Sequence, residues 1–266
     1  MENGEPGEEL DAAEALLDEG RPEEALAVLA RVDPGDPDRW LLELDAWTEL
    51  ADWRRAEAAL AAAERTNAPG EPLVDFYRGR LRLAQWRTAE ARAALERVPV
   101  EVGGAALLLD LALLEDLEGD PAAADARLAA AAALDPAAAP PPIRLSPADF
   151  AALVEEAAAA LPPDFRDAFH TVAVVIDPMP TAGIVDAPRS GHPPDLLGLF
   201  AGLPLTEREA RGHGELPPTI FLFQRNLERL ASDRARLREE VRTTLYHELG
   251  HALGFDEEGV EDMGLA

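Results

Sequence analysis

Two histidines and one glutamate near the C-terminus have the spacing of a metal-dependent hydrolytic site. His247 and His251 are four residues apart, and Glu248 follows the first of them. Residues i and i+4 of an α-helix lie on one face, so both imidazoles can bind one tetrahedral zinc ion. Glu248 is offset around the helix and can act as a general base on water without binding the metal. The pattern predicts zinc-assisted hydrolysis.

The helix that carries these residues is predicted to begin after Asp233 and to end at Gly254. Asp233 is a suitable N-cap, and glycine readily adopts the left-handed backbone that ends helices. An apolar residue recurs at every fourth position, on the side nearly opposite to the histidines: Leu237, Val241, Leu245 and Leu249. We therefore expect one helix face to pack on a core and the other to line a cleft.

The C-terminal part of the chain resembles a known family over four stretches. These are residues 150–180, 195–208, 219–241 and 244–264, in this order and spacing. They are similar to the small bacterial zincin-like metallopeptidases, which have a minimal catalytic domain. The resemblance implies an α+β domain with a short sheet beside the metal helix, a Zn²⁺ cofactor and a peptide or protein substrate. It also implies that His247 and His251 are metal ligands, that Glu248 is the general base and that the third ligand is acidic.

Glu257 is the predicted third metal ligand. It lies six residues beyond His251, where zincins with an extended motif place this ligand. The competing candidates are Asp256, Glu258, Glu261 and Asp262. The chain has no cysteine, so histidine and carboxylate groups must hold the ion alone.

The N-terminal half of the chain predicts helical repeats. Four alanines, each in a short helix that follows another apolar helix, step by 31, 33 and 35 residues: Ala25, Ala56, Ala89 and Ala124. These intervals bracket the 34-residue tetratricopeptide period. Trp53 and Trp86 are expected to fill the seams between paired helices. The repeats are interpreted either as a scaffold or as a groove that binds a protein partner or substrate.

A proline run at residues 140–142 predicts a linker between two regions. We expect a tetratricopeptide-like helical repeat domain at residues 8–138, a proline-rich linker at 139–147 and a zincin-like metallopeptidase domain at 148–266. The predicted fold class is therefore multidomain, with all-α repeats followed by a small α+β domain.

Two short β-branched or aromatic runs in the second domain predict neighbouring strands, at residues 171–176 and 219–223. The second strand is a candidate to pair with an extended substrate. Residues 177–218 predict a long loop with an apolar patch at 196–200. His192 and His213 lie in this loop, where they could bind the metal or remain solvated.

Composition limits the partners. The net charge is −28, so nucleic acid is excluded as a partner, whereas basic peptides are favoured in encounter. The N-terminus lacks the features of a secretion signal and no apolar stretch is long enough to span a membrane, so we expect a cytoplasmic protein. Two functions fit the sequence. One is a zinc metallopeptidase, and the alternative is a non-catalytic helical-repeat adaptor with a structural or vestigial zincin domain.

Overall fold

The computed structural model describes residues 6–204, 218–256 and 259. An all-helical region precedes a small α+β region, which confirms the predicted fold class; the tetratricopeptide identity of the helices stays a prediction. No helix within these residues is long and apolar enough to cross a membrane. The helical region comprises α1 (Pro6–Asp18), α2 (Pro22–Leu29), α3 (Pro37–Glu49), α4 (Trp53–Thr66), α5 (Pro72–Ala84), α6 (Thr88–Leu95), α7 (Val100–Leu117), α8 (Pro121–Leu134), α9 (Pro147–Ala159) and α10 (Pro163–Phe169).

The remaining elements surround the sheet. They are β1 (Ala173–Asp177), α11 (Ala187–Ser190), β2 (Gly198–Ala201), β3 (Thr219–Phe223), α12 (Gln224–Arg229) and α13 (Arg234–Leu253). By compactness the chain divides into a helical unit, residues 1–135 with 186–194, and a second unit, residues 136–185 with 195–266.

Aspartates and prolines determine where many helices begin. Asp36, Asp52 and Asp120 cap α3, α4 and α8, and each side chain accepts a hydrogen bond from a backbone N–H of the first turn. Proline opens α2, α3, α5 and α8, where its missing N–H would have no partner in the helix. These residues set the helix boundaries locally, before any tertiary packing.

The first eight helices pack as consecutive pairs, each with an equivalent turn between its two helices. The backbone is left-handed at one residue of every such turn: Gly20, Ala51, Trp86 and Gly119, with φ of 69°, 51°, 61° and 83°. Trp86, expected in a seam, therefore lies in a turn, and its indole Nε1 donates a hydrogen bond to the carbonyl of His192 at 2.9 Å. Residues 186–194 belong to the helical unit, which explains how this contact forms.

The repeated alanine of the third pair is Ala91, whereas the sequence predicted Ala89. The fourth residue of the second helix in each pair is a fully buried alanine: Ala25, Ala56, Ala91 and Ala124. Ala89 is exposed. The prediction aligned Trp86 with Trp53, but Trp53 opens its helix whereas Trp86 precedes α6 by two residues.

The sheet has the order β1–β3–β2. β1 pairs with β3 in parallel, as the prediction of neighbouring strands required, and β2 pairs with β3 in antiparallel orientation. The apolar patch predicted as loop is therefore partly strand β2. β3 is central and has strands on both sides, so the prediction that it pairs with a substrate is wrong; β2 is the edge strand on that side.

The core of the second unit joins α9, α13 and the sheet. Phe150 and Leu153 of α9 and Ile220 and Leu222 of β3 are fully buried in it. Glu228 of α12 is 1% exposed and accepts hydrogen bonds from the Leu145 backbone N–H at 3.0 Å and from Gln224 Nε2 at 2.7 Å. The irregular segment that precedes α9 is thus held on the second unit.

Candidate active site

Helix α13 carries the predicted site and is fixed at both ends. The Asp233 side chain caps it by accepting hydrogen bonds from the backbone N–H groups of Ala235 and Arg236, both at 2.9 Å. The predicted apolar residues are all fully buried, which confirms the predicted core-facing side: Leu237, Val241, Leu245 and Leu249. His247 and His251 are partly exposed on the other side.

The two imidazoles face each other through their Nε2 atoms. His247 Nε2 and His251 Nε2 are 3.0 Å apart, and the ring planes meet at 80°. Two nitrogens that bind one tetrahedral zinc ion at about 2.0–2.1 Å lie about 3.3 Å apart. To hold such an ion, the two Nε2 atoms therefore need to move apart by only a few tenths of an ångström.

The turn after α13 orients His251. Gly254 has φ 96° and ψ 15°, its N–H bonds to the His251 carbonyl, and the Phe255 N–H bonds to the Gly250 carbonyl, both at 3.0 Å. This is the Schellman arrangement, which needs a residue that tolerates the left-handed backbone. The turn brings the Phe255 carbonyl to 3.1 Å from His251 Nδ1. Since a carbonyl only accepts, Nδ1 carries the proton and Nε2 keeps its lone pair for a metal.

The Glu248 carboxylate is held beneath the edge strand. Its side of α13 packs against β2, and the Phe200 backbone N–H donates to Oε2 at 2.6 Å. Glu248 is 8% exposed. Gly198 makes this approach possible, because a Cβ there would lie 2.6 Å from Thr244 Cγ2 and 3.1 Å from Glu248 Cγ. The Glu248 carboxylate is therefore positioned by a strand that lies 48 residues earlier in the chain.

The two imidazoles are suitable ligands for a zinc ion. Within residues 6–204, 218–256 and 259, no group of three or more histidine, cysteine or acidic side chains is arranged to hold a metal ion. Asp256 Oδ1 accepts a hydrogen bond from the Gly259 N–H at 3.0 Å and so caps the turn. The predicted ligand Glu257 lies outside the described residues, as do three of its competitors, Glu258, Glu261 and Asp262.

Two further polar residues of α13, Arg242 and Tyr246, have contacts of their own. Arg242 pairs with Glu239 on the surface of α13, with Nη2 and Oε1 2.5 Å apart. The Tyr246 ring packs edge-on against Phe165, with ring centroids 4.1 Å apart. His192 lies in the helical unit and His213 lies outside the described residues.

Sequence reasoning missed two backbone groups and one glycine that shape the candidate site. They are the N–H of Phe200, the carbonyl of Phe255 and the absent side chain of Gly198. A glycine within an apolar run was the available signal for the last of these, because glycine in a strand often marks a close approach of another segment. The two backbone groups depend on tertiary contacts and had no signal in residue type.

Comparison with known proteins agrees with this geometry. Residues 169–265 match the family model described as zincin-like metallopeptidase, and this range includes β1, β2, β3 and α13. None of the curated proteins matches the sequence. Residues 169–265 are thus a zincin-like metallopeptidase domain, preceded by an all-helical region.

Proposed function

We propose that the protein is a zinc-dependent peptidase with His247, His251 and Glu257 as metal ligands and Glu248 as general base. The observation that carries the proposal is the convergence of the two Nε2 atoms at 3.0 Å, on the same helix as a buried glutamate. A zinc ion bound there supplies a Lewis acid that polarises a peptide carbonyl and makes water more acidic. The family match in residues 169–265 supports peptide hydrolysis over other hydrolytic chemistry.

Glu248 has the proton-transfer role in this proposal. The Phe200 N–H holds Oε2, and the Glu248 carboxylate takes a proton from water and later gives it to the leaving amine. The hydrogen bond from β2 fixes the carboxylate, so that little reorganisation precedes the transfer. The Phe255 carbonyl keeps His251 in the tautomer that leaves Nε2 available for the metal.

The helical region serves, in this proposal, as a scaffold or as a module that binds a protein partner or substrate. Its consecutive helix pairs with equivalent turns support an extended repeat surface. The second candidate function, an adaptor with a non-catalytic zincin domain, requires no general base. The placement of Glu248 under β2 favours the peptidase.

Glu248→Gln tests the mechanism directly. Glutamine keeps an oxygen for the Phe200 N–H but cannot take a proton, so we expect full zinc content and the loss of casein cleavage. Zinc is measured by elemental analysis, beside His251→Ala, in which zinc should fall, and beside the surface control Glu239→Gln, in which both zinc and cleavage should persist. Cleavage that survives in Glu248→Gln contradicts the mechanism, and wild-type protein that binds zinc without cleaving any protein favours the adaptor.

A further inference from the structure

The helical unit contains a cavity of about 370 Å³ between the first helices of its four pairs. α1, α3, α5 and α7 each contribute to its wall, and buried apolar side chains form part of its floor: Leu17, Leu42 and Phe76. A volume of this size lies within the range of specific ligand sites. We call it the acidic pocket.

Carboxylates outnumber cations around the acidic pocket. Its lining includes Glu14, Asp18, Asp45 and Asp110 against a single guanidinium, Arg80. Arg80 Nη1 contacts both oxygens of Asp45, at 2.6 and 2.7 Å, and so offsets mainly that charge. Three negative charges remain in excess, which favours a cationic occupant.

The carboxylates at the rim are available to a ligand. Glu14 and Asp18 are exposed and four residues apart on α1, so they lie on one face of the helix and repel each other. In the part of the chain that the structure describes, neither forms an ion pair with an arginine. A cation between them would relieve the repulsion.

Two ionisable groups at or beside the cavity have raised pKa values, first because of burial and second because of its carboxylates. Burial, and then the charge of Asp45, raises the pKa of Tyr77, which lines the cavity. Burial and the same carboxylate raise the pKa of Glu49 to about 7. The carboxylates of the cavity thus disfavour the ionised forms of Tyr77 and Glu49, as expected of a site for cations.

The lining of the acidic pocket suits a cation with an apolar stem. An arginine or lysine side chain can lay its methylene groups along the leucines while its charged end meets the carboxylates. The cavity already holds one such arrangement, since the Arg80 guanidinium lies 5.8 Å from the centre of the Phe76 ring and binds Asp45. An anionic peptide would meet uncompensated carboxylates at the rim.

We propose that the acidic pocket binds an arginine or lysine side chain of a protein segment. This deepens the proposed function, because it rests on the helical region acting as a module for a partner or substrate and names the chemistry that the module recognises. It does not require the peptidase to be active.

The test uses the full chain with Glu248→Gln, so that no probe is cleaved. A short fluorescein-labelled peptide with one arginine between leucines is titrated by fluorescence polarisation at physiological salt. Its twin has citrulline in place of arginine, which removes the charge and nearly preserves the shape. We expect the arginine peptide to bind more tightly.

Paired variants separate the acidic pocket from the general negative charge of the chain. Glu14→Gln with Asp18→Asn should weaken arginine-peptide binding about fivefold, because two solvated ion pairs are lost. Glu8→Gln with Asp11→Asn makes the same change on α1 at residues outside the cavity lining and should leave binding nearly unchanged. Equal weakening by the two pairs, equal binding of the citrulline twin, or no measurable binding overturns the proposal. Failure of the peptidase would appear instead as absent casein cleavage in the wild-type protein, with binding intact.

Discussion

Gly198 lies where the edge strand β2 passes over α13, and the absence of its side chain is part of the site. An added Cβ would stand 2.6 Å from Thr244 Cγ2, closer than such atoms approach, and 3.2 Å from Glu248 Oε1. The same strand supplies the N–H that holds Glu248. One small residue therefore controls both the packing of β2 and the position of Glu248, the proposed general base.

We expect Gly198→Ala to lower peptidase activity strongly and to lower the free energy of unfolding only moderately. Displacement of β2 breaks the hydrogen bond to Glu248, whereas overpacking costs about 1–3 kcal/mol in the free energy of unfolding. Casein cleavage and urea unfolding measure the two effects. Gly183→Ala is the matched control, because a Cβ there meets nothing within 4 Å, and it should leave activity unchanged.

A compensating substitution distinguishes this clash from a general intolerance of alanine. Thr244→Ser removes the Cγ2 atom that a Cβ at residue 198 would meet first. The double variant should therefore recover part of the activity that Gly198→Ala loses. If the double variant is no more active than Gly198→Ala, the contact with Thr244 is not the cause.

At the scale of elements, the C-terminal turn of α13 links helix termination to the orientation of His251, a proposed metal ligand. Gly254 gives the left-handed turn, the turn places the Phe255 carbonyl, and the carbonyl orients His251. Partners in the second coordination shell of this kind typically change metal affinity by about 10- to 100-fold when they are lost.

Gly254→Ala is expected to weaken zinc binding about tenfold and to lower stability by about 1 kcal/mol. A chelator competition measures the affinity and urea unfolding measures the stability. Gly119→Ala provides the control, since Gly119 also has a left-handed backbone, with φ 83°, but follows α7 in the helical unit. It should cost similar stability without changing zinc affinity. Equal zinc affinity in the two variants would contradict the role of the turn.

The sequence predicted a helix correctly where local patterns, such as residue spacing and capping residues, determine its bounds. The histidine spacing, the Asp233 cap and the glycine at residue 254 specify α13 locally, and the structure has the helix there. The third repeated alanine was misplaced because a tryptophan can stand in a turn as well as in a helix, and only the backbone angle of Trp86 distinguishes the two.

Contacts between segments that are distant in the chain could not be predicted from the sequence. Strand order made β3 central and left β2 at the edge, although β3 has the stronger strand pattern. The hydrogen bond between Phe200 and Glu248 joins residues far apart in the chain, and it involves a backbone group that every residue type except proline has. No local pattern encodes such a contact.

At the scale of the whole molecule, negative charge is the dominant electrostatic feature. The chain has 52 acidic and 24 basic residues, so even if every arginine paired with one carboxylate, 28 negative charges would remain. Many of the ion pairs are solvent-exposed, such as Arg21 with Glu24 and Arg234 with Glu156, and pairs of this kind contribute little. We therefore expect repulsion among carboxylates to outweigh their attraction to arginines.

We expect the melting temperature at pH 7 to rise by a few degrees, in order of magnitude, between about 0.01 M and 0.15 M sodium chloride. Over this range the screening length falls from about 30 Å to about 8 Å, which weakens repulsion in the folded state more than in the expanded unfolded chain. Differential scanning fluorimetry gives the melting temperatures. The same titration near the sequence pI of about 4.4 should show little dependence on salt, because the net charge there is close to zero. A melting temperature that falls with salt at pH 7 would mean that the ion pairs, and not the excess charge, govern the stability of the fold.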